Sequence, residues 1–239
     1  MTDTTYALIT GANKGLGFTA AHRLGTLGWT VLVGSRDAER GAEAVAKLVA
    51  DGLAAELVEL DVTSEESVRA AAGQVEQRYG RLDVLVNNAG VVGSRAEVLE
   101  TGPAELLACY ATNVFGPVRV TRAFVPLLRR SANPRVVMVS SGLGSFAVTT
   151  DPSRIESRIV ALGYPSSKSA LNMITTQYAK ALPEFRVNVV DPGYTATDLN
   201  GHSGPQTVEQ GTDAIVELAT IGPDGPTGGY FDRTGPLAW

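Results

Sequence analysis

The chain of 239 residues is predicted to form an α/β fold, a doubly wound parallel sheet in a single domain. Short runs of β-branched and apolar residues alternate with longer stretches of helical spacing, which is the pattern of parallel strands joined by crossover helices. Hydrophobic residues make up 44% of the chain, enough at this length for one sizeable core. No repeat, low-complexity tract or linker divides the sequence, so one domain is expected over residues 1–239.

The individual elements follow from short apolar runs bounded by turn-forming residues. Strands are predicted at Tyr6–Thr10, Thr30–Gly34, Glu56–Leu60, Leu82–Asn87, Arg135–Ser140, Val187–Val190 and near Gly229–Asp232. Helices are predicted at Gly15–Leu27, Ala38–Ala50, Glu65–Tyr79, Pro103–Arg129, Tyr164–Leu182 and Val208–Ala219. Because open α/β sheets bind ligands outside the carboxyl ends of their strands, functional residues are expected directly after the strands.

The charge balance and the sparse cysteine and histidine content narrow the classes of partner. A net charge of −5 and an isoelectric point near 5.1 disfavour nucleic acid and anionic membranes as main partners. No apolar run approaches the roughly 18 residues of a membrane span, and the polar start, residues 1–5, does not resemble a signal peptide. A cytoplasmic location is therefore expected. Cys109 is expected to pack in the core, and His22 and His202 have no third ligand that would predict a metal site.

A glycine-rich turn follows the first predicted strand. It has the pattern G-x-x-x-G-x-G, formed by Gly11, Gly15 and Gly17 with Asn13, Lys14 and Leu16 between them. Glycine permits a tight turn and close approach of the backbone to a pyrophosphate, and the following helix offers free N–H groups. A purely structural turn is the alternative, but the strand before and the helix after favour a dinucleotide cradle.

The end of the second strand predicts which nicotinamide cofactor is bound. Val33-Gly34-Ser35-Arg36 lacks the acidic residue that binds the ribose hydroxyls of NAD. Arg36 at this place is suited to bidentate binding of a 2′-phosphate, and Lys14 adds a second positive charge, so NADP is predicted. The alternative is that both cations are solvated and Asp37 contacts the ribose of NAD. Arg40 is a weaker candidate for the phosphate.

Two further strand ends supply candidate cofactor contacts. Asp61 and Val62 follow the third strand, where a carboxylate can accept from an adenine amino group. Asp61 is equally a candidate helix N-cap, with its neighbours Thr63 and Ser64 as rivals. Asn87-Asn88-Ala89-Gly90 follows the fourth strand. Its small residues, Ala89 and Gly90, let the backbone approach the cofactor, and its asparagines, Asn87 included, are expected both to brace strands and to lie near the cofactor.

Tyr164 and Lys168 stand four residues apart in Gly-Tyr-Pro-Ser-Ser-Lys, a spacing that puts both side chains on one face of a helix. A free phenol titrates near ~10 and is a poor proton shuttle at neutral pH. An ammonium about 4 Å away favours the phenolate by up to about 4 kcal/mol at an effective dielectric near ~20, or about three pKa units. We therefore expect Lys168 to bring the pKa of Tyr164 into working range.

The glycine turn, Asn-Asn-Ala-Gly and Tyr-x-x-x-Lys, in this order, resemble the short-chain dehydrogenase/reductase family, and the likeness runs from Tyr6 through Trp239. Asn13-Lys14, Ser35-Arg36-Asp37 and residues 82–90 are most similar to its NADPH-dependent carbonyl reductase branch. The resemblance implies a Rossmann-like fold and four active-site residues: Asn113, Ser141, Tyr164 and Lys168.

By that resemblance, Ser141 and Tyr164 hydrogen-bond the substrate carbonyl, and Tyr164 gives up the proton while the nicotinamide delivers hydride. Lys168 holds the nicotinamide ribose, and Asn113 kinks its helix through a bound water that links the lysine to solvent. Two fixed donors aimed at the alkoxide that develops on reduction stabilise that charge whatever the family. Ser140 is the rival to Ser141.

The loop after the sixth strand, Asp191-Pro192-Gly193-Tyr194-Thr195-Ala196-Thr197, resembles the family's proline-glycine loop under the nicotinamide. By the resemblance, Pro192 and Gly193 lie against the cofactor, the backbone of Thr195 meets the carboxamide and the hydroxyl of Thr197 meets a phosphate. As residues alone the loop is only a turn.

Two features depart from the family. Pro165 directly follows Tyr164 and disfavours helical geometry there, so the helix is expected to begin close to Tyr164, with the proline in its first turn. The segment Phe146–Gly163 makes the gap between Ser141 and Tyr164 longer than usual, and it is either a substrate lid or a surface loop. The same segment bears on assembly, because it would block a face that the family uses for dimers. Homo-oligomer and monomer both stay open.

The sequence thus predicts an NADPH-dependent reductase of a ketone or aldehyde that runs in reverse as an alcohol dehydrogenase. An NAD-dependent hydroxy-group dehydrogenase of the same fold is one alternative, and a catalytically silent NADP-sensing or scaffold protein is the other. Apolar residues in the loops after strands four to six suggest a partly hydrophobic small-molecule substrate.

Overall fold

The computed structural model describes residues 4–239, so part of the polar start discussed above, residues 1–3, lies outside it. Within this range eight strands form one sheet in the order β3-β2-β1-β4-β5-β6-β7-β8. Their bounds are β1 Tyr6–Thr10, β2 Thr30–Ser35, β3 Ala55–Glu59, β4 Val84–Asn87, β5 Arg135–Val139, β6 Arg186–Val190, β7 Tyr230–Asp232 and β8 Gly235–Pro236. The first seven strands are parallel and β8 is antiparallel to β7. The predicted single-domain, doubly wound parallel sheet is confirmed.

Helices cover both faces of the sheet. They are α1 Gly15–Gly25, α2 Ala38–Ala50, α3 Glu65–Tyr79, α4 Pro103–Tyr110, α5 Gly116–Leu128, α6 Phe146–Thr149, α7 Gly163–Ala181, α8 Val208–Gly211 and α9 Asp213–Thr220. One buried cluster joins α3, α5 and α7 to the sheet, and a second joins α1, α2 and α9 to its other face. Two apolar layers therefore hold the strands rigidly, which fixes the positions of the loops at their carboxyl ends.

Two predicted helices are each broken into two. The predicted helix Pro103–Arg129 is α4 and α5 joined by a π-helical turn, Ala111–Phe115. The predicted helix Val208–Ala219 breaks at Thr212, whose buried hydroxyl accepts a hydrogen bond from Arg23 at 2.8 Å. Strand β8 was not predicted, because two residues give no period to read. Across residues 4–239, none of the helices combines the length and apolar character needed to cross a membrane.

The strand order reverses direction between β1 and β4, and this is the place where such sheets open a cleft for ligands. The ends of the two strands are joined through Thr10, whose hydroxyl accepts from the backbone N–H groups of Asn88 and Ala89 at 3.0 Å each. The Asn88 amide donates back to the Thr10 carbonyl at 2.8 Å. The predicted bracing by an asparagine is thus supplied by Asn88.

Candidate active site

The glycine-rich turn has the shape of a phosphate cradle. Gly11 and Gly15 have φ angles of +64° and +56°, a region that residues with a Cβ rarely adopt. A Cβ at Gly11 would lie 3.0 Å from the Ala89 Cα, and one at Gly17 would lie 2.6 Å from the Asn88 Nδ2. The N-cap of α1, Lys14, has no side-chain capping bond, and the first turn holds no acidic residue. These free N–H groups and the open backbone fit a pyrophosphate.

The two cations predicted to bind a 2′-phosphate lie in different surroundings. Arg36 is exposed and has no ion pair within residues 4–239. Lys14 is also exposed, and its Nζ lies 2.6 Å from Oδ2 of Asp198, a partner that the sequence did not suggest. Asp37 caps α2 by accepting from the Arg40 N–H at 3.0 Å and pairs with the Arg40 guanidinium at 3.4 Å. The carboxylate that the NAD alternative requires is therefore already engaged.

Asp61 lies at the carboxyl end of β3, but it does not cap α3. Its Oδ1 accepts from the backbone N–H and the hydroxyl of Thr63 at 2.9 and 2.7 Å, and Ser64 is the N-cap. Val62 is buried against α5, where a Cβ at Gly116 would lie 2.9 Å from its Cγ2. Adenine contact at Asp61 and Val62 stays a prediction.

The turn after β4 lies between the glycine turn and the predicted tetrad. Asn87 is buried and donates to the Thr121 hydroxyl at 3.1 Å, while its Oδ1 has no partner within residues 4–239. A Cβ at Gly90 would lie 3.7 Å from the Lys168 Nζ and 3.5 Å from the Asn113 Oδ1. Gly90 thus lies beside the lysine and asparagine head groups of the predicted tetrad, at ordinary van der Waals distance.

Asn113 occupies the π-helical turn between α4 and α5, so the helix is interrupted at the residue where the resemblance implied a kink. The fully buried amide accepts from the Val91 N–H at 2.9 Å and donates to the Ser167 hydroxyl at 3.0 Å. Asn113 therefore connects the loop after β4 to α7, the helix that carries Tyr164 and Lys168.

The structure separates the two candidate serines after β5. The Ser140 side chain is buried and its hydroxyl donates to the Asn172 Oδ1 at 2.6 Å. The Ser141 side chain instead lies near the Tyr164 phenol, whose pKa it lowers, and its hydroxyl accepts from the Leu143 N–H at 3.3 Å. Ser140 thus braces β5 against α7, while contact of Ser141 with a substrate carbonyl stays a prediction.

Tyr164 and Lys168 share one face of α7, as their spacing predicts. The helix begins at Gly163, so Pro165 falls in its first turn, where its missing N–H has no consequence. The Lys168 Nζ lies 5.5 Å from the centre of the Tyr164 ring and donates to the Val139 carbonyl at 2.8 Å. Four predicted residues, Asn113, Ser141, Tyr164 and Lys168, therefore converge at the carboxyl ends of β4 and β5.

The expected depression of the Tyr164 pKa by Lys168 is wrong for the structure described here. Burial raises the pKa of Tyr164 above its usual value, the nearby Asp191 raises it further, and the Ser141 side chain opposes them. Burial also lowers the pKa of Lys168 from 10.5 to about 8. The ammonium is directed at the Val139 carbonyl rather than at the phenolic oxygen, so its attraction for a phenolate is weak.

The loop after β6 approaches the glycine turn, since a Cβ at Gly15 would lie 3.9 Å from the Thr197 Cγ2. Gly193 has a φ of +69°, which a tight turn requires. The Thr195 backbone N–H already donates to the Gly193 carbonyl at 2.9 Å, and its carbonyl accepts from Asn200 at 2.8 Å. Phosphate contact at Thr197 stays a prediction, and a carboxamide at Thr195 would have to share existing hydrogen bonds.

The segment Phe146–Gly163 is structured rather than a plain loop. It contains α6 and a 3₁₀ turn at Ile155–Arg158, and Val148 anchors it in the core. Other apolar side chains are exposed, with Val160 at 81%. Two of its charged residues, Arg154 and Glu156, line a cavity of about 260 Å³ at the carboxyl edge of β6 and β7. The segment therefore reaches the cleft, and its action as a lid stays a prediction.

Sequence reasoning missed two residues of the centre. Asp191 is 4% exposed and Tyr230 is 2% exposed, and both lie beside Ser141 and Tyr164. A charged residue ending the apolar run Val187–Val190 was the available signal for Asp191. Cys109 is buried as expected, 3.3 Å from the Asn113 Nδ2. Residues 4–239 contain no group of three or more His, Cys, Asp and Glu residues suited to a metal ion.

Comparison with known proteins agrees with this geometry. The family model described as short chain dehydrogenase matches residues 5–207. A (−)-isopiperitenone reductase from Mentha piperita is 34% identical, with 98% of each chain covered. The NADPH-bound carbonyl reductase from chicken fatty liver is 26% identical, with a TM-score of 0.87 and 99% of each chain covered. A metagenomic short-chain oxidoreductase in complex with NADP is 30% identical, with a TM-score of 0.76 and 92% and 93% covered.

The alignment with the peppermint reductase spans 306 residues, more than the 239 of this chain, so that relative carries insertions that this chain lacks. The predicted oxidoreductase activity on carbonyl and hydroxyl groups and the NADP cofactor are confirmed. With most of its length matched by the family model, the chain belongs to the short chain dehydrogenase family.

Proposed function

We propose that this chain reduces a partly hydrophobic ketone with NADPH, with Tyr164 as general acid and Ser141 as the second donor to the carbonyl. The observation that carries the proposal is that the Ser141 side chain lies close enough to the Tyr164 phenol to lower its pKa, with the buried Lys168 ammonium 5.5 Å from the phenol ring. When bound, NADPH supplies the hydride. Two donors placed in advance beside the developing oxyanion would stabilise it without reorganising.

The candidate cofactor-binding residues can be matched to each part of NADP. Arg36 is exposed and unpaired within residues 4–239, and it is the candidate for bidentate binding of the 2′-phosphate. Lys14 is the second cation, and its pair with Asp198 is exposed and therefore weak, so a phosphate can displace it. The turn at Gly11–Gly17, together with Thr197, would hold the pyrophosphate. Asp61 and Val62 would contact the adenine. The residues on the nicotinamide side would be Ala89, Gly90, Pro192, Gly193 and Thr195.

Each of the other side chains of the predicted tetrad has its own role in the reaction. Tyr164 stays protonated at neutral pH because burial raises its pKa, so it is ready to donate in the reductive direction. Lys168 would hold the nicotinamide ribose. Asn113 holds the loop after β4 to α7 and would connect the lysine to solvent through a water. One domain, residues 1–239, would carry both cofactor and substrate.

The substrate class follows from the relatives and from the exposed apolar side chains of the segment Phe146–Gly163. A (−)-isopiperitenone reductase and a (+)-neomenthol dehydrogenase, judged by their names, act on ring compounds with a carbonyl or hydroxyl group. Ile155, Ile159 and Val160 are exposed on the segment, where an apolar ring would cover them. We infer a cyclic, mostly hydrocarbon ketone, reduced in the cytoplasm.

The test is an assay of NADPH oxidation with a panel of cyclic ketones, acyclic ketones and aldehydes, repeated with NADH and, in reverse, with the alcohols. Turnover that is faster with cyclic ketones and with NADPH is expected. Tight NADPH binding without turnover of any carbonyl would contradict the proposal and favour the silent NADP-sensing alternative. Preference for NADH would favour the NAD-dependent dehydrogenase.

A further inference from the structure

The peptide that carries Ser141, directly after β5, is held from β7, the second strand along the sheet. The Tyr230 hydroxyl donates to the Ser141 carbonyl at 2.7 Å. Tyr230 is 2% exposed, and its ring stacks on Trp239 at 5.3 Å between ring centres. Because the Tyr230 phenol is buried and its ring is packed, its position is restricted. Its hydrogen bond therefore fixes the backbone position of Ser141 in the turn that follows β5, residues 141–144, which we call the serine turn.

The same turn is held from β6 by Asp191. The Asp191 Oδ1 accepts from the Gly193 N–H at 2.9 Å, and the Gly142 backbone lies close enough to the carboxylate to lower its pKa. The fit is close, since a Cβ at Gly142 would lie 2.9 Å from the Asp191 Oδ2. One carboxylate thus lies between two turns, the serine turn after β5 and the proline-glycine turn after β6.

Asp191 has charged and titratable neighbours on every side. Tyr164 and Lys168 approach it from α7, Glu156 and Arg154 from the segment after α6, and Asp232 and Tyr230 from β7. Burial raises the pKa of Asp191, while the nearby backbone of Gly193 and Gly142 opposes the rise. In its charged form Asp191 raises the pKa of Tyr164.

We propose that Asp191 and Tyr230 are positioning residues, which together fix the serine turn that meets the substrate carbonyl against the proline-glycine turn that meets the nicotinamide. The inference rests on the proposed function of Ser141 and Tyr164. Misplacing reacting groups by about 1 Å costs roughly 10²-fold in rate. The hydrogen bonds that set the distance between the serine turn and the proline-glycine turn are therefore expected to affect the rate strongly. Asp191 has a second effect, because its charge keeps Tyr164 protonated.

The test compares Asp191→Asn and Tyr230→Phe with Asp232→Asn, which removes a nearby carboxylate whose hydrogen bonds within residues 4–239 come from Thr234. Asp191→Asn is expected to lower kcat by roughly 10-fold to 10²-fold with less change in KM, because the misplacement acts on the chemical step. It should also move the alkaline limb of the reduction profile to lower pH, because the negative charge beside Tyr164 is lost. Tyr230→Phe should lower kcat by about 3-fold to 10-fold without moving that limb, and Asp232→Asn should leave kcat within about 2-fold.

Two measurements are independent of turnover. NADPH affinity, measured by fluorescence titration, should change little in Tyr230→Phe. The pKa of Tyr164 in the protein without cofactor, measured by NMR with isotope-labelled tyrosine and assigned with Tyr164→Phe, should fall in Asp191→Asn. A merely structural role would lower the melting temperature without moving this pKa.

Wild-type kcat and an unmoved Tyr164 pKa in Asp191→Asn would overturn the inference. If Asp191→Asn fails to fold, Tyr230→Phe decides, and wild-type kcat in that variant overturns it. A wild-type protein without reductase activity would instead remove the proposed function, and the NMR titration would still show whether Asp191 controls Tyr164.

Discussion

The cleft has a cofactor half beside β1 and a reactive half beside β5. Each half contains a lysine, and the two lysines differ in how far they are exposed to solvent. Lys14, on the β1 side, is 57% exposed at its side chain and pairs with an exposed aspartate. Lys168, on the β5 side, is 3% exposed, and its Nζ donates to a backbone carbonyl. The first half offers glycine backbone and solvated cations, while the second offers buried polar side chains that bond one another.

The difference in solvent exposure predicts how each half of the cleft responds to added salt and to substitution. Exposed charges are screened by salt and are worth little singly, so the cofactor half should be tunable and tolerant. Buried polar groups are costly when unpaired, so the reactive half should lose activity steeply and carry shifted pKa values. The following predictions test this contrast, from the largest expected effect to the smallest.

Tyr164→Phe removes only a hydroxyl from the reactive half. Turnover is expected to fall by about 10²-fold or more, because a positioned proton donor is lost, while folding and NADPH binding persist. Steady-state kinetics with a cyclic ketone and fluorescence titration of NADPH measure the two effects. Tyr110→Phe, on α4, is the matched control and should keep wild-type turnover. Equal turnover in wild type and Tyr164→Phe would end the proposed mechanism.

Lys168→Met should abolish most activity and yet stabilise the protein without cofactor. With the pKa of Lys168 near 8 instead of 10.5, each lost unit costs about 1.4 kcal/mol, so the charged form costs the fold up to about 3 kcal/mol at neutral pH. Between about pH 8 and 10.5 the unfolded chain holds the proton more tightly, so the stability of wild type should rise with pH and approach that of the variant. Urea unfolding across this range measures it, and a variant less stable than wild type at neutral pH would refute the argument.

NADPH affinity should also weaken in Lys168→Met, because the ammonium is assigned to the ribose. In whatever activity remains, the alkaline limb should move little, since the ammonium is directed at the Val139 carbonyl and not at the phenol. Asp191→Asn, in contrast, is expected to move this limb.

Arg36→Asp tests the cofactor half. Loss of a charge-assisted pair to the 2′-phosphate should weaken NADPH binding by roughly 10-fold to 10²-fold and reverse the preference toward NADH. In wild type the preference should shrink as salt is added. Lys47→Asp, an exposed charge reversal at the far end of α2, is the control and should leave the ratio unchanged. Equal wild-type affinities for NADPH and NADH would exclude the 2′-phosphate site.

The smallest effect is expected in the segment Phe146–Gly163. Ile159→Ser with Val160→Ser should raise KM for bulky cyclic ketones about 3-fold to 10-fold through lost apolar contact, with small ketones and NADPH affinity little changed. Val49→Ser, an equally exposed apolar site on α2, is the control. A substrate profile identical to wild type would favour a surface segment over a lid.

The sequence predicted the parts of the molecule that depend on local pattern. Strand and helix periods, the glycine turn and the Tyr164–Lys168 spacing are encoded by neighbouring residues, so they could be identified directly. The Lys14–Asp198 pair and the Tyr230 bond to Ser141 join residues far apart in the chain, and no local pattern marks them. The pKa of Tyr164 was predicted in the wrong direction, because burial and Asp191 outweigh an ammonium that is directed elsewhere.

The π-helical turn at Ala111–Phe115 also explains why one long helix was predicted where two stand. It inserts one extra residue into a helical turn, so the apolar faces of α4 and α5 are out of phase by about 100°. Deleting a single residue within the turn would restore one continuous α-helix and rotate everything after it by that angle. Asn113 would then leave the centre, or the buried face of α5 would leave the core. The reaction centre and the hydrophobic core are therefore coupled through one residue of chain length, and a deletion here would be expected to do more damage than most substitutions.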